Sequence, residues 1–148
     1  MGLDMMLYRK NEDSLEEVGY WRKANQIHNW FVQNVQEGTD DCGEYDVTRE
    51  QLSELLGICR QILDEVRVSE GEIRNGRRYQ NGVWEDIIET GFVVENPEVC
   101  EALLPSTSGF FFGSTDYDEY YMEDIKNTVE ILEKVLGEEG DFVYHSSW

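Results

Sequence analysis

The chain has 148 residues, the size of one ordinary domain, and its 40 % apolar and 12 % aromatic residues suffice for a hydrophobic core. Its formal net charge of −20 predicts repulsion from nucleic acid and from anionic membranes. No run approaches the roughly 18–20 apolar residues of a membrane helix. The three cysteines have no close spacing, so neither a disulfide framework nor a zinc module is indicated. We therefore expect a protein of a reducing cytoplasm.

The negative charge is concentrated in the second half of the chain. Residues 1–78 hold 10 Lys and Arg against 16 Asp and Glu, whereas residues 79–148 hold 2 against 16. Such a surface favours solubility or a basic protein partner. At the N-terminus, the basic pair Arg9 and Lys10 follows the apolar run, which is the wrong order for a signal peptide.

Two extended segments and a helix are predicted at the start of the chain. The extended segments cover residues 3–9 and 18–21. A helix over 22–36 follows from the helical spacing of four apolar residues, namely Ala24, Ile27, Phe31 and Val35. An acidic loop is expected over 38–47.

A second helix is predicted after this loop. Thr48 is placed to cap it, and Gln51 completes a capping-box pattern. Its apolar stripe consists of Leu52, Leu55, Leu56, Cys59, Ile62, Leu63 and Val66.

Residues 68–96 are predicted to form a hairpin insertion. The pairs Asn75-Gly76 and Asn81-Gly82 are both hairpin turn signals. Pro97 suits the first turn of a short helix that ends near Leu104.

A last helix over 117–136 and a final strand over 141–145 complete the chain. The exposed face of this helix alternates Glu with Lys126 and Lys134, as expected of an ordinary solvated helix. Together these elements predict one α+β domain over 1–148, with about three amphipathic helices packed on a small sheet that includes both terminal strands.

The predicted first helix carries amides where the other helices carry charges. Its outward face would hold Arg22, Asn25, Gln26, Asn29, Gln33 and Gln36. Such a face indicates packing against polar backbone or binding of a polar ligand. Arg22 and Lys23 would place positive charge at the helix N-terminus, where the macrodipole is also positive, which is unfavourable. We expect this cost to be offset either by a bound anion or by an ion pair of Arg22 with Glu16, Glu17 or an acid of the C-terminal half.

Other chemistry-bearing residues favour structural roles. His28 lies on the apolar edge of the first helix, which favours a core histidine over a catalytic base. Cys42 sits among carboxylates that disfavour its thiolate, whereas Cys59 and Cys100 lie on apolar faces and are expected in the core. A cluster of carboxylates is formed by Asp40, Asp41, Glu44 and Asp46. Its spacing does not match a calcium-binding loop, which favours an ordinary solvated loop. No metal or cofactor is predicted.

The loop over 106–115 offers hydroxyls, glycines and backbone amides just before a helix, where an anion can bind, although the P-loop pattern is absent. It contains three consecutive phenylalanines at 110–112. Extended side chains alternate between two faces, so at least one of the three is expected to face a groove or a partner.

Several strings of the sequence resemble a family of small proteins encoded by bacteriophages and prophages. They include the opening Met-Gly-Leu-Asp-Met, the run 20–31, the segments 40–45 and 104–114, the run 116–121 and the ending His-Ser-Ser-Trp. Family members usually have an aromatic residue after the opening string, where this chain has Met6. The resemblance implies a phage setting, in which accessory proteins of this size often block host defence, and it implies no catalytic residues.

Three functions remain open. The first is a binding protein that antagonises host defence by sequestering a small polar, nucleotide-like ligand. The second is an acidic inhibitor that covers a basic, nucleic-acid-binding host protein. The third is a metal-dependent hydrolase built on the carboxylates of 40–46. The missing catalytic spacing favours binding over catalysis.

The ligand-binding hypothesis assigns a role to each candidate residue. Arg22 and Lys23 would contact phosphate, and Asn25 and Asn29 would read hydrogen bonds. Trp21, Tyr117 or one phenylalanine of 110–112 would stack on a base. The candidate ligand-binding residues are Tyr20, Trp21, Arg22, Lys23, Asn25, Asn29, Phe111, Ser114 and Tyr117.

Overall fold

The fold is α+β, as the sequence predicts. The computed structural model describes residues 2–109 and 112–148, which form six strands and four helices. In chain order these are β1 (Asp4–Lys10), β2 (Leu15–Arg22), α1 (Asn25–Asn34), β3 (Glu44–Val47), α2 (Arg49–Glu65), β4 (Val68–Gln80), β5 (Val83–Val94), α3 (Pro97–Leu103), α4 (Glu119–Leu136) and β6 (Phe142–Ser147).

The two terminal strands are neighbours in a four-stranded antiparallel sheet, which confirms the prediction. The strand order is β2-β1-β6-β3, and Leu7 on β1 is opposite Tyr144 on β6. Alternate side chains point to one face, so Met5, Leu7 and Tyr144 are all fully buried there. Helix α1 adds Ile27 and Phe31 to the same core, and the Phe31 and Tyr144 rings stack 3.9 Å apart.

Helix α2 begins with the predicted capping box. The Thr48 hydroxyl accepts from the Gln51 backbone N–H at 3.1 Å, and the Gln51 side chain accepts from the Thr48 N–H at 2.9 Å. The apolar stripe of α2 packs against α4, and Cys59 is buried at this contact as expected. Cys100, on α3, is also buried.

Strands β4 and β5 form a separate two-stranded sheet, the predicted hairpin. Its turn is Asn81-Gly82, where both residues have positive φ. The other turn signal, Asn75-Gly76, instead lies at an irregularity within β4. The base of the hairpin joins the body through the Val94 N–H, which donates to the Tyr117 carbonyl at 3.2 Å.

The predicted first helix was wrong at its N-terminal end. Arg22 is the last residue of β2, and helix α1 starts only at Asn25. The Lys23 N–H donates to the Leu3 carbonyl, so the backbone still follows β1 at this point, and Lys23 then turns with a φ of 55°. The acidic loop over 38–47 likewise contains β3, which pairs with β6. In the described part of the chain, no helix combines the length and apolar character needed to cross a bilayer.

We predict that Thr48→Ala lowers the free energy of unfolding by about 1 kcal/mol, since it removes the hydroxyl that accepts from the Gln51 backbone N–H. Urea denaturation measures the change. Ser53→Ala removes a hydroxyl from an exposed position inside the same helix and is the matched control, expected within about 0.5 kcal/mol of wild type. Equal effects of the two substitutions would contradict the capping role.

Candidate ligand-binding cleft

A cleft of about 390 Å³ lies where four segments of the chain meet. These are the β2–α1 connection, the irregular part of β4, the loop between α3 and α4, and the first turns of α4. Most of the residues that line it are of polar types, and they carry both signs of charge.

Asn25 fixes one wall of the cleft. Its Nδ2 donates to the carbonyls of Phe112 and Ser114 at 3.0 and 2.8 Å, and its Oδ1 accepts from the Thr107 N–H at 3.0 Å. The side chain is only 2 % exposed. One buried amide thus satisfies three backbone groups of the α3–α4 loop, whose described residues form no helix or strand.

Gln26 and Asp124 meet on the opposite side of the lining. The Gln26 Nε2 donates to the Asp124 carboxyl at 3.3 Å and to the Tyr121 carbonyl at 3.4 Å. Burial disfavours the charged carboxylate and raises the pKa of Asp124 to about 7, although the bond from Gln26 opposes this shift. Asp124 therefore changes charge near neutral pH.

Asp118 caps α4 and has one carboxyl oxygen to spare. Its Oδ1 accepts from the backbone N–H groups of Tyr120 and Tyr121, at 3.0 and 3.3 Å. Its Oδ2 has no hydrogen-bond partner among the described residues, although the side chain is only 4 % exposed. Burial raises the pKa of Asp118, against the two backbone bonds. Asp118 is one of the residues that line the cleft, so the same residue combines contact with the cleft and an unsatisfied acceptor.

Three cations stand around the cleft. Arg22 is exposed and pairs with Asp4 at 3.1 Å, and Arg74 makes two bonds to Asp116 at 2.8 and 2.9 Å. The Lys23 side chain lies against Gly113, whose added Cβ would come within 3.3 Å of the lysine Cβ. Four carboxylates also line the cleft: Asp116, Asp118, Glu123 and Asp124.

The cleft brings together four of the predicted site residues. Arg22, Lys23, Asn25 and Ser114 all line it. The expected ion pair of Arg22 exists, but its partner is Asp4, which lies opposite it in the β1–β2 register. Arg22 ends strand β2 and does not lie at a helix N-terminus, so no helix macrodipole requires a bound anion beside it.

The predicted stacking role of Trp21 is wrong. Its ring is buried in the core, where Nε1 donates to the Thr128 hydroxyl at 2.8 Å and the ring packs edge-on against Phe31. Asn25 is also fully engaged with the protein, so it positions the wall rather than reading a ligand. Asn25 and Gln26 both donate to backbone carbonyls, so this part of the amide-rich face of α1 packs against polar backbone. Packing of this kind is one of the two roles predicted from the composition of the face.

The remaining predicted residues lie outside the cleft lining. The Tyr20 hydroxyl donates to Asp4, and Asn29 is half-buried on α1. The Tyr117 hydroxyl accepts from the Ser106 N–H at 3.1 Å, and the ring packs against Tyr121. Phe111 lies outside the described residues. Phe112 is a core residue whose ring meets His28 edge-on.

Three cleft residues have little signal in the sequence. Asp118 is of a residue type preferred at helix N-caps, but the helix was predicted to begin at residue 117, and the unpartnered oxygen follows only from burial. Asp124 belongs to the acidic side of α4 and differs from its neighbours only in packing. Arg74 reaches the cleft from a distant hairpin.

His28 is a satisfied core histidine, as predicted. It is fully buried, with Nδ1 at 2.6 Å from the Tyr144 hydroxyl and Nε2 at 3.0 Å from Asp40. Burial lowers the pKa of His28, with Asp40 opposing the shift. A neutral ring that accepts from Tyr144 and donates to Asp40 satisfies both contacts.

The carboxylates of 40–46 are engaged separately. Asp41 accepts from the Tyr45 hydroxyl and the Gly43 N–H, Asp46 pairs with Lys10, and Asp40 meets His28. Across residues 2–109 and 112–148, no group of three or more His, Cys, Asp or Glu side chains is placed to hold a metal ion.

Comparisons of the chain with protein-family models, curated proteins and solved structures give no match.

We predict that Asp124→Asn stabilises the protein more at pH 8.5 than at pH 5.5. Because the folded-state pKa of Asp124 is raised to about 7, the folded protein holds a proton at pH 5.5 that the unfolded chain has largely released. This contribution is greatest in acid and is lost as the pH rises through 7. The asparagine variant has no such dependence and keeps the bond from Gln26.

The stability difference between variant and wild type should therefore grow by about 2 kcal/mol between the two pH values, measured by urea denaturation. Asp64→Asn removes an exposed carboxylate from α2 and is the matched control for the loss of one charge. A pH-independent difference for Asp124→Asn would contradict the burial of its charge.

Proposed function

We propose that this chain is a binding protein that holds a small polar, nucleotide-like ligand in the cleft between α1, β4 and the start of α4. The observation that carries the proposal is Asp118, a residue of the cleft lining whose buried Oδ2 has no partner among the described residues. Leaving a buried carboxylate oxygen unpaired is costly, and a ligand donor would remove that cost.

The charges of the cleft support a ligand with two different ends. Asp118 and Asp124 offer hydrogen-bond acceptors, which suit the amino and imino groups of a nucleobase. Arg22 and Lys23, on the neighbouring wall, suit a phosphate. A bare phosphate fits less well, because four carboxylates line the same space and would repel it.

The resemblance to phage and prophage proteins supplies the setting of the proposal. An abundant binder of a nucleotide-like signal, acting in the host cytoplasm, would lower the free concentration of that signal and so antagonise host defence. No catalytic step is needed for this role. Asn25 and Gln26 hold the walls of the cleft through hydrogen bonds to the protein itself, so the site is largely formed before ligand arrives.

A second candidate is an acidic inhibitor of a basic, nucleic-acid-binding host protein. The exposed side of α4 favours it, since Glu123, Glu130 and Glu133 are all solvent-accessible there. Lys126 and Lys134 interrupt this acidic surface, unlike the regular phosphates of DNA. Charge-neutral substitution of Glu130 and Glu133, which lie outside the cleft lining, distinguishes the two candidates, because it should leave the cleft ligand bound.

We predict that a nucleoside monophosphate binds the protein and that Asp118→Asn weakens this binding at least tenfold. Asparagine preserves the cap through its Oδ1 and replaces only the spare acceptor by a donor. Isothermal titration with GMP and AMP measures the affinity, with guanosine and ribose 5-phosphate as probes of the two ends.

Arg22→Gln combined with Lys23→Gln should weaken the binding of GMP or AMP and leave the affinity for guanosine unchanged. The free variant should melt close to wild type, since the exposed pair with Asp4 is worth only about 0–1 kcal/mol. Arg60→Gln is the matched control, as it breaks the exposed pair with Glu133 on α2. The proposal is rejected if neither mononucleotide binds, or if both cleft variants bind as wild type does.

A further inference from the structure

The side of the cleft that α4 forms presents hydrogen-bond acceptors to a ligand. The hydroxyl groups of Tyr120 and Tyr121, which line this side, donate to other groups of the protein, namely Glu89 and the Leu104 carbonyl. The remaining lining residues from the start of α4 are all acids: Asp118, Glu123 and Asp124. In the described part of the chain, this side therefore offers mainly carboxyl oxygens.

Asp124 lies half-buried in the lining, with its carboxyl group held by a neighbour. The Gln26 Nε2 donates to the Asp124 Oδ2 at 3.3 Å, which holds the carboxyl group against α1. An ionised carboxylate accepts up to about four hydrogen bonds through its two oxygens. The bond from Gln26 therefore leaves acceptor positions for the donors of a ligand.

The negative charge of Asp124 is only partly compensated within the protein. Burial raises the pKa of Asp124 to about 7, and the charges of Glu123 and Asp118 add to this shift, whereas the hydrogen bond from Gln26 opposes it. Donors from a ligand favour the ionised carboxylate. A ligand with two adjacent N–H groups would therefore complement Asp124 better than a ligand with one.

Guanine is the common nucleobase with two adjacent donors on its Watson–Crick edge. Its imino N1–H and amino N2–H lie side by side and match the two oxygens of one carboxylate. Adenine and cytosine place an amino donor beside an unprotonated ring nitrogen, and uracil places one imino donor between two carbonyls. In each of these bases a lone pair would face a carboxylate oxygen, which disfavours binding.

We propose that Asp124 is a specificity-determining residue of the cleft and selects guanine nucleotides by accepting from guanine N1–H and N2–H. The inference rests on the proposed function and names the base of the ligand. The base lies against α4, and the phosphate is directed to Arg22 and Lys23, so one ligand uses both the acceptors and the cations of the cleft.

Isothermal titration of wild type with GMP, IMP and AMP tests the selection without any substitution. At pH 8, above the Asp124 pKa of about 7, the carboxylate is mostly ionised. We expect GMP to bind at least tenfold more tightly than AMP, since a site built for an N–H donor rejects an analogue that lacks it. IMP keeps the imino donor but lacks the 2-amino group, and should bind at least fivefold more weakly than GMP.

Asp124→Asn tests whether this side chain reads the base. Asparagine presents one acceptor and one donor, which match the Watson–Crick edge of adenine. The affinity for GMP should fall at least tenfold, while the affinity for AMP is unchanged or increased. Glu130→Gln removes an exposed acid of α4 outside the cleft lining and is the matched control, expected to leave both affinities unchanged. Circular dichroism and melting curves verify that both variants are folded.

The outcomes separate this inference from the proposed function. If wild type binds AMP within tenfold of GMP, or IMP as tightly as GMP, selection of guanine is overturned and the proposed function stands. An equal loss of GMP and AMP binding in Asp124→Asn overturns the role of Asp124 as the residue that reads the base. If no mononucleotide binds, the proposed function is rejected and this inference with it.

Discussion

The side chain of Asn25 holds together the part of the molecule on which the cleft depends. It lies buried at the start of α1 and binds three backbone groups of the loop that connects α3 to α4. The described residues of that loop form no helix or strand, so their polar backbone groups need partners from elsewhere. A single amide supplies both donors and an acceptor, which no charged side chain of similar size can do.

The position of the cleft follows from this anchor. The loop leads directly into Asp118, which lines the cleft; its first carboxyl oxygen caps α4 and its second has no partner among the described residues. Gln26, the next residue of α1, reaches Asp124 one turn further along α4. Asn25 therefore holds α1 against the loop, and Gln26 holds it against α4. Asp118 and Asp124 are buried beside these contacts, and burial raises the pKa of both carboxyl groups. The unusual electrostatics of the site are a consequence of packing.

Local patterns were enough to predict most of the fold. The capping box at Thr48, the turn at Asn81-Gly82 and the terminal strands all depend on residues close in sequence or on simple periodicity. The first helix was misplaced because Arg22 and Lys23 suit a helix by composition, whereas hydrogen bonding to β1 keeps the backbone extended there. Tertiary pairing overrode propensity at that point.

The candidate site was predictable only in part, because its chemistry depends on burial. Arg22 and Ser114 were identified from residue type, and both line the cleft. Trp21 was misassigned since an aromatic residue beside two cations suggests stacking, while the strand directs its ring into the core. Nothing in the composition of α4 distinguishes Asp124 from its exposed neighbours. Arg74 belongs to the β4–β5 hairpin, and the contact of that hairpin with the rest of the fold cannot be predicted from local sequence.

Amide hydrogen exchange of Asn25→Asp tests most directly whether this one side chain builds the cleft. Aspartate presents a second acceptor to the carbonyls of Phe112 and Ser114, so both bonds are lost. We expect the hydrogen-exchange protection of the Thr107 and Asp116 amides to fall at least tenfold, while the protection of the α2 amides is unchanged. Asn34→Asp, at the exposed end of α1, is the control and should alter neither. Unchanged protection of the loop in Asn25→Asp would contradict the account.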